Sequence, residues 1–282
     1  MWVVVRGGLG NQMFQAAKGI ALARTFDMSP RFVDLTTRSD AQRKWELGVF
    51  GIKAAEPGAL ETLLIETRLR LSKKFRRYGV TRAFGVLNET PPPQVTPDPP
   101  RAPVVVNGFW QHPRHFAAAD GDVRAAFCFP DHPAVEAFAR TVGVGGSVAI
   151  HVRRGDYVSN PAASGRHLVC DSDWYRRAWD RMQADLGACR AYVFSDEPDW
   201  ARNNLGLTGD VTVVNGAPDD PSWVDMARMA RCNHFVISNS SYSWWAAHLS
   251  EFEQKRVLAP RQWFVGVDTR DIGICPRDWI LM

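Results

Sequence analysis

The feature that most constrains the fold is the regular alternation of short apolar runs with helical patterns in the second half of this 282-residue chain. The predicted strands are Val148–Arg153, Ala191–Phe194, Val211–Val214, His234–Ile237 and Arg256–Ala259. The predicted helices between them are Ser172–Leu186, Asp199–Asn204, Trp223–Arg231 and Ser243–Ser250. Because strands that alternate with helices form parallel sheets covered on both faces, the sequence predicts an α/β fold.

The first half begins with a strand, a helix and a second strand, predicted at Trp2–Val5, Gln12–Thr25 and Arg31–Leu35. Residues 91–103 hold seven prolines in thirteen positions, a composition that predicts an extended loop. A chain of this length suits two domains. The glycine-rich segment Thr141–Ser147 is the predicted boundary between them, so the domains are residues 1–143 and 144–282.

One group of charged residues follows an apolar strand directly, in the order His151, Arg153, Arg154, Gly155 and Asp156. In open parallel sheets, ligands bind beyond the carboxyl ends of the strands. The period of two along a strand puts His151 and Arg153 on one side, and the planar guanidinium of arginine suits phosphate oxygens. The group therefore predicts a pyrophosphate clamp, with His151 in its protonated form. The alternative is a surface salt-bridge cluster that includes Asp156.

A second polar segment, residues 237–245 (ISNSSYSWW), lies at a strand–turn–helix junction. Free backbone N–H groups and hydroxyls at a helix N-terminus form an anion site. The alternative is helix capping, for which one serine suffices.

A third strand end carries Asp196 and Glu197 in the segment FSDE. A carboxylate there is suited to bind a nucleobase, a ribose or a sugar hydroxyl, and equally to cap the next helix. Near the N-terminus, Gly8 and Gly10 begin a G-x-G-x-x-G pattern that lacks its third glycine. We interpret this segment as a turn for close backbone approach, with Asn11 suited to cap the following helix.

Two patterns that resemble metal sites have simpler explanations. Asp171 and Asp173 have D-x-D spacing, but they precede a helical pattern, where an N-cap and a first-turn acid are favoured. His112 and His115 have H-x-x-H spacing, but Pro113 separates them and no third ligand follows. We therefore predict no metal site.

The compartment is predicted from what the sequence lacks. No apolar run reaches the roughly 18 residues that span a bilayer, and the N-terminus has no basic region typical of a signal peptide. The five cysteines are odd in number and have no C-x-x-C spacing, so they indicate neither a disulfide framework nor a zinc ribbon. We expect a cytoplasmic protein.

The net charge of +4 arises in one segment. Residues 68–82 contain seven Lys/Arg and no acid, so the rest of the chain carries −3, which argues against nucleic-acid binding. These residues overlap a predicted amphipathic helix over 60–78, whose apolar stripe is expected to pack against the N-terminal domain. The stripe comprises Leu60, Leu64, Leu71, Phe75 and Tyr78. The basic neighbours are either a solvated face or a peripheral attachment to the anionic inner face of the membrane.

Several segments together resemble the bacterial α-1,2-fucosyltransferases. HVRRGDY, FSDE and ISNSSYSWWAAHL, the last with Asp225, Met229 and Cys232 before it, resemble the three C-terminal motifs of that family. GGLGNQMFQ resembles its N-terminal motif, and GFWQHPRHF resembles its central segment. The matches run in order from residue 5 to about residue 250. The sequence departs mildly from the pattern at Tyr242, where Phe is usual, and at Glu197, where a second Asp is common.

The resemblance implies a GT-B architecture, in which two Rossmann-like domains face each other across a cleft. It implies an inverting transfer of L-fucose from GDP-fucose to the 2-hydroxyl of a galactose in an oligosaccharide, without a metal or a further cofactor. The N-terminal domain would hold the acceptor. The C-terminal domain would hold GDP-fucose, and the last residues of the chain are allowed to pack back on the first domain.

The resemblance also implies roles for individual residues. Arg153 would contact the β-phosphate, supported by His151 and Arg154. Nucleotide contacts would come from Asp196, Asn239, Ser240, Ser241 and Tyr242, and Gly10 and Asn11 would approach the cleft from the other domain. The nearest candidate for the general base is Asp156, which alternatively only orients Arg153 or Arg154.

Three other functions remain open at the level of sequence. One is a transferase of the same architecture that uses another GDP-sugar or forms another linkage. The second is a non-catalytic carbohydrate-binding module that uses the eleven tryptophans. The third is a dinucleotide oxidoreductase, for which the incomplete glycine pattern is the only support.

Overall fold

A mainly parallel sheet organises each half of the chain. The computed structural model describes residues 1–35, 43–76, 80–90, 95–142, 146–155, 170–217 and 219–282. These residues form two compact units, Met1–Pro130 and Asp131–Met282. Each unit combines its sheet with helices, which confirms the predicted α/β class.

The sheet of the first unit has five strands in the order β2-β1-β5-β4-β3 among the described residues. Its strands are β1 (Trp2–Val5), β2 (Arg31–Asp34), β3 (Arg82–Ala83), β4 (Val86–Asn88) and β5 (Val105–Asn107). All neighbours pair in parallel except β3 and β4, which form an antiparallel hairpin. The helices of this unit are α1 (Leu9–Phe26), α2 (Ala59–Arg76) and α3 (Asp120–Ala126), with short 3-10 turns at Leu47–Phe50, Pro113–His115 and Ala117–Ala119.

Close packing of α1 on the sheet depends on a glycine. A Cβ atom on Gly19 would lie 2.9 Å from Cγ2 of Val3 and 3.0 Å from a ring carbon of Phe32. Because buried atoms cannot approach so closely without displacement, only glycine allows this separation of helix and strands. The helix therefore lies directly behind β1 and β2, and its N-terminus follows the carboxyl end of β1.

In the second unit, the residues that the structure describes form a six-stranded, fully parallel sheet in the order β13-β10-β9-β6-β7-β8. Its strands are β6 (Ser147–Val152), β7 (Arg190–Ser195), β8 (Val211–Val213), β9 (His234–Val236), β10 (Val257–Ala259) and β13 (Ile280–Leu281). A separate antiparallel pair comprises β11 (Gln262–Phe264) and β12 (Val267–Asp268). The chain winds from β6 to β8 in one direction and then continues from β9 on the other side, so a topological switch point lies between β6 and β9.

The helices of the second unit are α4 (Pro133–Thr141), α5 (Ser172–Leu186), α6 (Pro198–Asn204), α7 (Trp223–Ala230), α8 (Ser241–Leu249) and α9 (Thr269–Ile272). Buried residues of α5, including Tyr175, Trp179 and Met182, share a core with Ile150 of β6. The helix begins with a cap, because the Asp171 carboxylate accepts a hydrogen bond from the Trp174 backbone N–H at 2.7 Å.

The division of the chain into units differs in position from the sequence expectation. The units divide at Pro130–Asp131, earlier than residue 143, because α4 packs within the second unit. The Phe138 ring of α4 lies 5.0 Å from that of Tyr192, and Arg228 donates to the Ala134 carbonyl. The last strand, β13, pairs with β10 in the sheet of the second unit.

Candidate functional site

The carboxyl ends of β6, β7 and β9 lie side by side in the second unit. Val152 of β6 is paired with Ser195 of β7, and Ile150 of β6 with Val236 of β9. The residues that follow these strands, including Arg153, Asp196 and Ser238, therefore meet at one edge of the sheet on both sides of its switch point. We call this region the switch-point edge. Ligands of doubly wound sheets bind at such positions.

Asp196 fixes both arginines of the edge. Its carboxylate forms an ion pair with Arg153 at 2.9 Å and accepts a hydrogen bond from the Arg154 backbone N–H at 3.0 Å. A Cβ atom on Gly155 would lie 2.7 Å from Oδ2 of Asp196, so a larger residue there would displace the carboxylate. Burial raises the pKa of Asp196, and the guanidinium of Arg153 opposes that effect. The Asp196 carboxylate therefore positions Arg153 and Arg154, and it does not cap α6.

Arg154 is oriented by two further contacts. Its Nε lies 3.2 Å from a carboxylate oxygen of Glu197, and its guanidinium carbon lies 3.6 Å from the centre of the Trp200 ring. Stacking on an indole fixes the plane of a guanidinium, and thereby the directions of its N–H groups. Sequence reasoning missed Trp200. Its position in the first turn of α6, four residues after Asp196, was the available signal.

His151 is neutral, and the expectation of a protonated imidazole is wrong. The side chain is buried, and this burial, together with the nearby charge of Arg153, lowers the pKa of His151 to about 3. Its Nδ1 lies 3.0 Å from the hydroxyl oxygen of Ser238, which follows β9. His151 thus connects the two sides of the switch point by a hydrogen bond and adds no positive charge.

The serine-rich segment combines capping with other contacts. The Ser240 hydroxyl caps α8 by accepting from the Tyr242 backbone N–H, and the Asn239 side-chain amide donates to the Trp263 carbonyl at 2.9 Å. Ser241 is half-buried at the first position of α8. The capping interpretation therefore explains Ser240, whereas Asn239 holds the segment against β11.

Tyr242 makes contacts that phenylalanine could not make. Its hydroxyl accepts a hydrogen bond from the Met226 backbone N–H at 2.7 Å and donates to the Ser222 carbonyl. It thereby bridges an N–H and a carbonyl four residues apart at the start of α7, a pair that a regular helix would bond directly. The Tyr242 ring centre also lies 5.7 Å from that of His151. The aromatic residue joins α7 and α8 to the switch-point edge.

Two predicted residues lie in the first unit. Gly10 is buried in the first turn of α1, and Gly8, rather than Asn11, is the N-cap of that helix. The Asn11 side-chain oxygen instead accepts from the Gln111 side-chain amide at 2.6 Å. The prediction of Asn11 as a cap is therefore wrong, because the backbone already turns into the helix at Gly8.

A polar network that sequence reasoning missed follows β1, β4 and β5 in the first unit. The Arg6 guanidinium donates to the Asn107 side chain at 3.0 Å, and that side chain donates to Asn88 at 2.8 Å. The Glu89 carboxylate accepts from the backbone N–H groups of Phe109 and Trp110. Trp110 has a φ of 58°, so Glu89 stabilises a turn that a bulky residue rarely adopts. The sequence signal for this network was the presence of polar residues at the ends of β1, β4 and β5.

The patterns that resembled metal sites are structural. Asp171 caps α5, and Asp173 forms an ion pair with Arg176 on the surface of that helix. Burial and the nearby charges of Lys18 and His112 lower the pKa of His115 to about 3. Within the described residues, no group of three His, Cys, Asp or Glu side chains is arranged to hold a metal. Asp156 lies outside those residues.

Comparison with known proteins adds the relatives of this chain. The family model "Glycosyl transferase family 11" matches residues 101–264. The O-antigen biosynthesis glycosyltransferase WbnK of Escherichia coli is 31% identical over 292 residues, covering 94% of this chain and 95% of that protein. An α-1,2-colitosyltransferase of Escherichia coli is 26% identical over 294 residues, covering 97% and 96%. Human galactoside α-(1,2)-fucosyltransferase 1 is 33% identical over 104 residues, covering 36% and 28%.

Proposed function

The chain belongs to glycosyl transferase family 11, and from this premise we propose that it is a galactoside α-1,2-fucosyltransferase. It transfers L-fucose from GDP-fucose, with inversion, to the 2-hydroxyl of a galactose in an oligosaccharide. The observation that carries the proposal is the pair Arg153 and Arg154, held by Asp196 at the switch point of a parallel sheet. That pair fits the diphosphate of a nucleotide sugar.

The chemistry of the transfer assigns a role to each arginine. The bond between fucose and the β-phosphate breaks as the acceptor oxygen attacks the anomeric carbon from the opposite face, and negative charge grows on GDP. Donors aimed at the position where charge develops stabilise the transition state more than the ground state. Arg153, whose side chain is 26% exposed, meets the β-phosphate, and Arg154 supports it. Two fixed guanidiniums supply positive charge of the kind that D-x-D transferases obtain from a metal, which supports a metal-independent reaction.

His151 contributes geometry rather than charge to this mechanism. A neutral imidazole that shares a hydrogen bond with Ser238 keeps β6 and the serine-rich segment in register. The N-terminus of α8, with Ser240 and Ser241, then offers backbone N–H groups to a phosphate. In this proposal Asn239 and Tyr242 support that turn through their contacts with Trp263 and α7.

The acceptor is assigned to the first unit. Asn11 and Gly10 lie at the start of α1, after the carboxyl end of β1, which is where ligands of parallel sheets bind. The exposed Phe109 ring, with the Arg6 guanidinium 5.0 Å from its centre, is a stacking surface suited to a sugar ring. Asp156 stays the candidate for the general base that removes the proton of the acceptor hydroxyl.

A second donor is favoured by one specific observation. The similarity to an α-1,2-colitosyltransferase extends over 97% of this chain. Colitose differs from fucose by the absence of the 3-hydroxyl, so both nucleotide sugars present the same diphosphate to the arginines. The carbohydrate-binding module is less favoured because eight of the eleven tryptophans are buried, namely Trp2, Trp110, Trp174, Trp179, Trp244, Trp245, Trp263 and Trp279.

The test is a comparison of donors on the purified full chain. We expect GDP to raise the melting temperature, whereas NAD and free fucose leave it unchanged. We also expect a higher kcat/KM with GDP-fucose than with GDP-colitose or GDP-mannose on one galactose-terminated acceptor. A higher value with GDP-colitose would replace the fucosyl assignment, and stabilisation by NAD alone would overturn the function.

We propose that the enzyme acts in the cytoplasm, with residues 68–82 in peripheral contact with an anionic membrane. The support is the concentration of seven Lys/Arg without an acid in this segment. Acidic lipids attract clusters of basic residues near a membrane surface. A lipid-linked oligosaccharide acceptor at that surface would then be close to the enzyme.

A further inference from the structure

Helix α2 turns large apolar side chains toward solvent. Leu60 is 83% exposed and Leu63 is 62% exposed, and Leu64, Leu71 and Phe75 are also exposed. With 100° between successive residues, these five side chains fall on one side of the helix. We call them the outer face of α2. The described part of the chain has eleven exposed large apolar residues, and these five lie on α2. Three more lie near the helix, namely Val80, Phe84 and Val104.

The opposite face of α2 packs on the core of the first unit. Ile65 and Ser72 are buried, and Ile65 and Leu69 join the core formed by β1, β4 and β5. This inner face lies on the other side of the helix from Leu60. The expectation that the stripe of Leu60, Leu64, Leu71 and Phe75 packs against the domain is therefore wrong, and Tyr78 lies outside the described residues.

The β3–β4 hairpin extends the outer face. The Phe84 ring stands 5.4 Å from the Phe75 ring, edge to face, and is 46% exposed. Phe84 has a φ of 55° and Gly85 a φ of 72°, a two-residue turn in which asparagine usually precedes glycine. The Arg68 guanidinium donates to the Phe84 carbonyl. Phe84 thus lies at the exposed tip of the hairpin in a backbone conformation that is unfavourable for an aromatic residue.

Basic side chains border the outer face on both sides. On the helical projection, Arg68 flanks one side of the apolar stripe, Arg70 the other, and Lys74 lies within it. Lys73 and Arg82 are exposed nearby. Among the described residues, none of Arg70, Lys73, Lys74 and Arg82 forms an ion pair, whereas the acid Glu61 is paired with Arg31 at 2.6 Å. Positive charge beside the apolar stripe is therefore available to an external anion.

We propose that the outer face of α2, with Phe84, inserts into the interface of an anionic lipid membrane. An interfacial helix buries an apolar stripe between the headgroups while flanking Lys and Arg contact acidic lipids. Charge complementarity favours this occupant over a second copy of the chain, since two such faces would bring like charges together. Among the described residues, no helix is long and apolar enough to cross a membrane, so insertion would stay at the interface. The inference rests on the proposed function only in that the acceptor would be membrane-linked.

The test measures flotation of the full chain with phosphatidylcholine vesicles, with and without phosphatidylglycerol. We expect binding only when phosphatidylglycerol is present. The double variant Leu63→Ser, Leu71→Ser should lower the partition coefficient by more than about tenfold, since each leucine buries several methylene-sized groups. Lys73→Gln and Lys74→Gln should each lower it by about fivefold.

Matched controls separate this surface from general effects. Val265→Ser removes an exposed apolar side chain of the second unit, and Arg177→Gln removes an exposed cation of α5; both should bind like the parent chain. Transfer to a soluble acceptor should be unchanged in all these variants, so loss of docking and loss of transferase activity are distinguishable. Equal binding to neutral vesicles, or a dimer in sedimentation equilibrium that the leucine variant dissociates, would overturn the proposal.

Discussion

At the switch-point edge charged and polar side chains lie partly or fully buried against one another, whereas on the outer face of α2 leucine and phenylalanine side chains lie in solvent. Each arrangement reverses the usual distribution, and each costs stability unless something else compensates. At the edge the compensation is internal, since Asp196 and Glu197 pair with the two arginines. On α2 the side chains of Leu60 and Leu63 are mostly exposed to solvent in the part of the chain that the structure describes, and the membrane contact that we propose would cover them.

The largest effect should come from the switch-point edge. Replacing Arg153 with alanine removes the donor aimed at the departing phosphate, so we expect kcat to fall by at least roughly 10²–10³-fold. Arg153→Lys keeps the positive charge and loses the planar guanidinium, so its kcat should lie between that of the parent chain and that of Arg153→Ala. Steady-state kinetics with GDP-fucose measures both, with Arg177→Ala as the surface control. Near-normal turnover of Arg153→Ala would break the assignment of the edge as the catalytic site.

Substitutions on the inner and outer faces of α2 should differ in their effect on the free energy of unfolding. Ile65→Ala leaves a cavity in the core, and we expect a loss of about 2–4 kcal/mol in the free energy of unfolding. Leu63→Ala changes a side chain that is already in water, so we expect a change within about 0.5 kcal/mol. Urea unfolding of both variants measures the difference. Equal losses would mean that the outer face is part of the fold.

Acid should destabilise the protein through its buried histidines. The pKa values of His151 and His115 are about 3 in the folded chain, below the ordinary 6.5, so the unfolded state binds more protons as the pH falls below 6.5. The free energy of unfolding therefore keeps its full value above pH 6.5. It falls progressively toward pH 3, by about 1.4 kcal/mol per pH unit for each histidine. Unfolding of the parent and of His151→Gln across this range measures the slope. An unchanged slope in the variant would show that His151 is not held neutral.

A smaller effect is expected at Tyr242. Tyr242→Phe removes the hydroxyl that bridges Met226 and Ser222 and leaves two backbone groups of α7 without that partner. We expect a loss of about 1–2 kcal/mol in the free energy of unfolding, with kcat changed far less than in Arg153→Ala. Thermal unfolding and kinetics on the same preparation check this. A loss of activity without a loss of stability would instead place the hydroxyl at the substrate.

Much of the switch-point edge was predictable because it depends on order along the chain. Arg153 and Asp196 directly follow β6 and β7, Ser240 lies four residues after β9, and parallel strands bring such positions to one edge. The protonation of His151 was not predictable, because burial arises only when β6, β9 and α8 pack together. The separate contacts of Asn239 and Ser240 likewise depend on their neighbours in space.

The first unit shows where periodicity fails. Helix α2 has apolar residues on two sides, and the pattern alone does not select Ile65 and Leu69 as the inner face. The hairpin tip was missed because Phe84 occupies a turn position that usually holds asparagine. Asn11 resembles a cap in the sequence, but the backbone starts the helix at Gly8. For α2 and for the hairpin tip, tertiary contacts outweigh a local preference.

The structure of the reaction product tests the proposed transfer most directly. GDP-β-L-fucose and a galactose-terminated oligosaccharide would be incubated with the full chain in the presence of a chelator, and the product would be analysed by NMR. We expect fucose joined in α configuration to the 2-hydroxyl of galactose, at a rate that chelation leaves unchanged. A β-linked product, attachment at another hydroxyl, or activity that returns only with Mg²⁺ or Mn²⁺ would contradict the proposed transfer.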